Sequence, residues 1–285
     1  MANNHLVLFI NLTMRFKYLV QDKYFMLVDV HCHLTNQLLK DKLPELIARA
    51  KQKGVVSVIC SGVNVPTNRE VLEVHKKYPD FIKCSLGLYP IDLLGLTEET
   101  GLARQIEPFD LDQELKFIEK NKDQILAVGE CGLDYHWDKT RHEEQKKNFE
   151  KILQFVKKIN KPVVVHTRKA EADCIEMLEK SGIKKVMLHM FEGRKHIIKK
   201  AADLGYYFSV PAILHKNQHF QMLVELVNIN QLLTETDAPW MSPVPGVPNE
   251  PANVAGTVEE IARIKKMDVK EVEDNIFMNY QRLFL

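Results

Sequence analysis

Histidine and carboxylate residues recur in this sequence at one kind of position, directly after a short apolar run. His31 and His33 flank Cys32 at the end of the first such run. A spacing of two along an extended strand puts both imidazoles on one face, where they can grip one cation. Glu130 follows the apolar run Ile125–Val128, His166 closes Val163–Val165, and His189 closes Val186–Leu188. Asp237 ends Thr234-Glu235-Thr236-Asp237. Imidazole nitrogen and carboxylate oxygen together suit Zn²⁺, Mn²⁺, Fe²⁺ or Co²⁺ and, less comfortably, Mg²⁺, which prefers oxygen. Any one of these residues alone reads as a hydrogen-bonded strand end or a loop anchor. All six at equivalent positions read as metal ligands, and the chemistry they offer is metal-assisted.

Something must bring six such distant residues together. From Leu27 onward, short β-rich runs alternate with long charged amphipathic segments. The expected strands are Leu27–His31, Val55–Cys60, Ile82–Leu86, Ile125–Gly129, Val163–His166, Val186–His189, Tyr206–Val210 and Leu232–Thr236. Their near-continuous apolar character fits parallel strands covered on both faces. Helical patterns lie between and after them, as in Glu143–Ile159, where Phe149, Ile152, Leu153, Val156 and Ile159 share one face. Eight strands each followed by a helix predict an α/β fold, a closed (β/α)₈ TIM barrel. An open doubly wound sheet is the competing architecture, but no G-x-G-x-x-G follows the first strand. In a barrel the carboxyl ends of strands one, four, five, six and eight converge on the face where active sites are built.

Composition narrows the class. The 285 residues are 45% hydrophobic and 27% charged, which excludes collagen-like, disordered and disulfide-scaffold proteins. With 39 basic against 38 acidic side chains, the formal charge of +1 argues against nucleic-acid binding through one broad cationic face. The five cysteines form no C-x-x-C pair and read as buried reduced thiols of a cytoplasmic protein. No apolar run is long enough to span a membrane, and no obligate protein partner is evident. Residues 1–25 carry neither a signal-peptide pattern nor a role that can be assigned, and the run opening at Met26 reads as the true domain start. One barrel domain over residues 26–285, preceded by an extension, is the expected organisation.

Four segments resemble the TatD family of metal-dependent hydrolases. They are Val28-Asp29-Val30-His31-Cys32-His33-Leu34, Val128-Gly129-Glu130-Cys131-Gly132-Leu133-Asp134-Tyr135, Val164-Val165-His166-Thr167-Arg168 and Thr234-Glu235-Thr236-Asp237-Ala238-Pro239-Trp240. The likeness runs from about Leu27 to Leu285. It implies a somewhat distorted barrel holding two divalent cations, with His31, His33 and Asp237 on one ion, His166 and His189 on the other, and Glu130 bridging. Two such ions make hydrolysis the expected chemistry: one acidifies a bound water to hydroxide and the other polarises the centre under attack. Asp237 would serve as ligand and proton acceptor, so Asp237 and Glu130 are the expected catalytic pair. Around them, Asp134 could orient a ligand histidine, Arg168 could neutralise a phosphate, and Tyr135, His136 and Trp137 could stack a base.

The family likeness implies a deoxyribonuclease, a phosphodiesterase of the 3′-to-5′ exonuclease type acting on nucleic-acid ends. Three departures bear on that substrate. Tyr89 stands where the family commonly has histidine, in Gly87-Leu88-Tyr89-Pro90. Glu192 adds a carboxylate in His189-Met190-Phe191-Glu192-Gly193. No Lys or Arg occurs from Ala238 to Pro251. They favour, as an alternative, hydrolysis of a carboxyl ester or amide (an aminoacyl ester or lactone) by the same mechanism. A non-catalytic metal-binding scaffold is the third reading, and the intact set of six ligands argues against it.

Overall fold

The computed structural model describes residues 26–96 and 109–285. Eight strands, β1 (Leu27–Cys32), β2 (Val55–Ser61), β3 (Ile82–Leu88), β4 (Ala127–Asp134), β5 (Val163–Arg168), β6 (Val186–Leu188), β7 (Tyr207–Pro211) and β8 (Leu232–Glu235), lie side by side in sequence order. Every neighbouring pair from β1 to β8 is parallel. The helices are α1 (Leu43–Gln52), α2 (Val65–Lys77), α3 (Pro90–Leu93), α4 (Leu111–Lys120), α5 (His142–Ile159), α6 (Glu171–Ser181), α7 (Lys195–Asp203), α8 (Gln218–Leu226), α9 (Val254–Lys265) and α10 (Val269–Phe284). This is the expected (β/α)₈ barrel. β1, β4 and β8 are buried along their whole length, which is why the runs read as continuous rather than alternating. One apolar core joins barrel and helices, and a smaller cluster of Val63, Tyr89 and Ile91 with Leu96 and Trp137 sits on the loops after β2, β3 and β4. No described helix is long and apolar enough to cross a membrane. The expected extension, residues 1–25, lies outside the described residues.

Local sequence explains several boundaries. The Asn64 side chain accepts from Thr67 N while the Thr67 hydroxyl accepts from Asn64 N, a reciprocal cap that starts α2 at Val65. β4 starts two residues later than expected and runs five residues past Gly129, so Glu130 and Asp134 stand within the strand. Gly132 permits this extension. A Cβ there would lie 1.9 Å from the His166 carbonyl oxygen, so only glycine lets β4 pair with β5 as far as Asp134 opposite Arg168. Helix α4 goes beyond the sequence expectation. Its signals are Asp110, which caps the amides of Asp112 and Gln113, and the spacing of Leu111, Leu115 and Ile118.

The barrel is nearly closed, and the β8–β1 seam is joined by individual bonds. Asp237 N donates to the His31 carbonyl (2.9 Å), His33 N to Ala238 O (2.7 Å), and the Thr234 hydroxyl to Val28 O (2.7 Å). Beneath them, Asp29 accepts from Thr236 N (3.0 Å), from the Thr236 hydroxyl and from His31 N (3.2 Å). Burial pushes the Asp29 carboxyl well above its ordinary range, against the opposing pull of these donors. Seam and candidate site are therefore one piece of structure. Thr236→Val keeps shape but removes the hydroxyl donor, and should lower the metal-free protein's stability by about 1–2 kcal/mol in urea denaturation. An unchanged midpoint would show that the seam does not depend on this bond.

Candidate metal centre

The strand period fixes which side chains turn inward. Asp29, His31 and His33 share one face of β1 and the loop after it, while Val28, Val30 and Cys32 take the other. Ser61 at the end of β2 holds both imidazoles: its hydroxyl meets His31 Nδ1 at 3.2 Å and its carbonyl meets His33 Nδ1 at 3.1 Å. A carbonyl only accepts, so His33 Nδ1 carries a proton and Nε2 is the nitrogen turned to the centre. Asp237, at φ 55°, turns in from the end of β8, a strained conformation for a non-glycine residue.

Four donor atoms meet there. His31 Nε2 lies 3.2 Å from His33 Nε2, 3.4 Å from Glu130 Oε2 and 3.7 Å from Asp237 Oδ1. His33 Nε2 lies 3.5 Å from Glu130 Oε2 and 3.3 Å from Asp237 Oδ1. Ligands ~2.1 Å from one tetrahedral cation stand about 3.4 Å apart. The donor set and its spacing fit such an ion.

Glu130 turns its other oxygen to a second group. Oε1 lies 3.0 Å from His166 Nδ1, and the far nitrogen of that ring is 3.0 Å from Asp134 Oδ2. His189 completes the group, its Nδ1 held 2.7 Å from Glu235 Oε2, while Glu235 Oε1 accepts from Met190 N. Carboxylate bonds of this kind fix ring orientation and tautomer, leaving His166 Nδ1 and His189 Nε2 as donors. The His31 and His189 rings stack at 3.8 Å. All six residues marked by the sequence as ligands are thus brought together.

The electrostatics follow from packing carboxylates against imidazoles out of water. Burial would raise the Glu130 carboxyl, but hydrogen bonds from His166 and His31 outweigh it and hold it well below its ordinary range. For Asp237, contacts with His33 and His189 likewise outweigh burial. Burial would lower His166, yet its bonds to Asp134 and Glu130 push it up to about 9. For His189 the Glu235 carboxylate outweighs burial and carries the imidazole to about 10. His31 moves the other way, lowered by burial and then by His189.

Other residues singled out by the sequence lie at the mouth. Asp134 accepts from His166, from the Tyr89 hydroxyl (2.9 Å) and from the amides of His136 (2.8 Å) and Trp137 (3.0 Å). The Arg168 guanidinium sits 5.2 Å from the Trp137 ring centroid, and among the described residues no carboxylate is within ion-pair reach of it. The Tyr135 hydroxyl donates to Asp173 (2.9 Å), and its ring stacks on His142 at 3.7 Å. Glu192 is exposed. Sequence reasoning marked Tyr89 as a departure beside the substrate, without its bond to Asp134, and missed Glu235 as part of the site. Glu235 was legible as a second acid two residues before Asp237, but it acts through His189, which no spacing rule connects to it.

A barrel whose strand ends gather four imidazoles and two carboxylates defines a metal-dependent hydrolase. A family model described as TatD related DNase matches residues 28–285, and the chain belongs to the TatD family. It is 33% identical to human deoxyribonuclease TATDN3 over 262 residues, covering 90% of this chain and 94% of that one. It is 29% identical to the 3′-5′ ssDNA/RNA exonuclease TatD of Edwardsiella piscicida over 90% of this chain and 99% of that one. The solved structure of YJJV, a TatD homologue from Escherichia coli, superposes with a TM-score of 0.80 at 24% identity, covering 90% of this chain and 97% of that one.

With His166 at about 9 and His189 at about 10, both rings are charged in the metal-free protein at pH 7. An entering cation must displace those protons, so affinity should rise with pH up to these values. Titration calorimetry with Zn²⁺ or Mn²⁺ in two buffers of different ionisation enthalpy should report release of two or more protons at pH 7, because Asp237 and Glu130 raise His33 against its burial as well. A heat independent of buffer would contradict the assignment.

Proposed function

We propose that the chain is a two-metal phosphodiesterase, a deoxyribonuclease that removes nucleotides from strand ends in the 3′-to-5′ direction. The observation that carries the two-metal reading is the placement of Glu130, which gives one oxygen to the His31–His33–Asp237 group and the other to His166. Two ions held there would acidify a water and draw charge from the phosphoryl oxygens. The chain's own residues supply the rest. Asp237 takes a proton from the incoming water, a role supported by its greater exposure (14%) than that of Glu130 (6%). Asp134 and Glu235 keep His166 and His189 in the tautomers that bind cations. Arg168, unpaired among the described residues, is free to neutralise a phosphate beside the second group. The five thiols, all buried and unpaired, fit a reducing compartment and support a cytoplasmic location.

A carboxyl ester or amide is the second reading, favoured by one observation: the loop from Ala238 to Pro251 brings no cation to its side of the mouth. The two readings separate on a 3′-labelled single strand incubated with added Mg²⁺ or Mn²⁺, beside a panel of simple carboxyl esters. Mononucleotide release is expected, and Glu130→Gln or Asp237→Asn should lower it roughly 10³-fold. Ester turnover without nucleotide release would replace the phosphodiester reading, and undiminished release in both variants would refute these roles. Asp134→Asn should weaken binding of one of the two ions by about 10–100-fold in a chelator-competition titration. Equal loss of both ions would contradict the division of ligands.

A further inference from the structure

Helix α5 starts just after the loop that follows β4, and one residue on its buried face is not apolar. Gln145 stands four residues before Phe149, on the face that Ile152, Leu153 and Val156 continue, and it is 1% exposed. Burying a side-chain amide is costly unless its polar atoms find partners. All of them do. Gln145 Oε1 accepts from Asp134 N (2.7 Å), and Nε2 donates to Asp134 O (2.7 Å) and to Asp138 Oδ2 (3.1 Å).

Asp134 needs these bonds because of where β4 ends. Tyr135 N donates to Arg168 O on β5, so the amide and carbonyl of Asp134 face the other way, toward the β3 side. The last residue pair between β3 and β4 is Leu88 with Cys131. Among the described residues no strand meets Asp134 there, and the Gln145 side chain supplies the donor and the acceptor that a strand would. An amide does both, whereas a carboxylate only accepts and an ammonium only donates. The Asp134 carboxyl is held separately, by the Tyr89 hydroxyl and by the amides of His136 and Trp137, and it is this carboxyl that meets His166 Nε2.

We propose that Gln145, on a helix outside the barrel, is a positioning residue for the second cation: it fixes the main chain of Asp134, Asp134 fixes the His166 ring, and His166 Nδ1 is left to meet the ion. This role rests on the two-metal reading of the centre. It is selective, because the first donor group is held from another side. His31 and His33 are braced by Ser61 and have no bond to Asp134 or Gln145. Loss of the Gln145 amide therefore loosens one ion and spares the other, whereas a general loss of stability would favour neither.

The test is chelator competition on the Zn²⁺-loaded protein, resolved for each ion in the wild type and two variants. Gln145→Met fills the same space without polar atoms. Gln145→Ala leaves room for water, which keeps the Asp134 main chain hydrogen-bonded and spares the fold while giving up the fixed geometry. In both, the affinity for one ion should fall about tenfold, the lower end of the range for groups that orient a metal ligand, and the other should change less than about twofold. In an Asp134→Ala background, Gln145→Met should add less than about twofold, because the group it acts through is gone. Equal weakening of both ions, full affinity in every variant that folds, or a tenfold loss that persists in the Asp134→Ala background would overturn the role. A wild-type protein that holds a single ion would overturn the two-metal reading instead. Gln145 then keeps its role only if that ion weakens in the single variants and Gln145→Met adds nothing in the Asp134→Ala background.

Discussion

The structure turns on a crowding of lone pairs. His31 Nε2 and His33 Nε2 lie 3.2 Å apart, each faces Glu130 Oε2 and Asp237 Oδ1 at 3.3–3.7 Å, and Glu130 Oε1 faces His166 Nδ1 at 3.0 Å. With neutral rings and ionised carboxylates only a proton on His31 Nε2 can bridge part of the cluster, and His33 Nε2, His166 Nδ1 and the carboxylate oxygens remain acceptors facing acceptors out of water. Positive charge must sit among them, as protons or as metal ions. Without metal, carboxylates outweigh burial at His33, His166 and His189 and raise all three, whereas at His31 burial and the charge of the stacked His189 outweigh Glu130 and lower it. The fold has to hold these groups in place against their mutual repulsion.

It does so with backbone and with a buried polar layer. Ser61, Asp134 and Glu235 each fix an imidazole from behind, and Asp29 with Thr236 ties β8 to β1 directly below the first donor group. The incomplete closure at this seam has a function within the site. A full backbone ladder would fix the ends of β1 and β8 in strand geometry, whereas individual bonds let Asp237 adopt a positive φ and turn toward His31 and His33.

Much of this was legible in the residues. Alternating apolar runs and amphipathic segments define the barrel, because parallel strands buried on both faces have no other economical pattern. The six donors stand out because polar residues directly after apolar runs are few. Strand ends were less legible: β4 runs on through Glu130 to Asp134 because Gly132 removes a clash with His166, a contact between strands that no single run encodes. The role of Glu235 and the bond from Tyr89 to Asp134 escaped for the same reason, since each joins residues distant in sequence.

The most direct test of the paired-cation centre is the metal content of the protein after reconstitution with Zn²⁺ or Mn²⁺ and removal of excess ion, read by elemental analysis of wild-type and Glu130→Gln proteins together. Two equivalents per chain are expected for the wild type, falling to one or none when the shared carboxylate is neutralised. One equivalent or fewer in the wild type, or two in the variant, would contradict a pair of ions joined through Glu130.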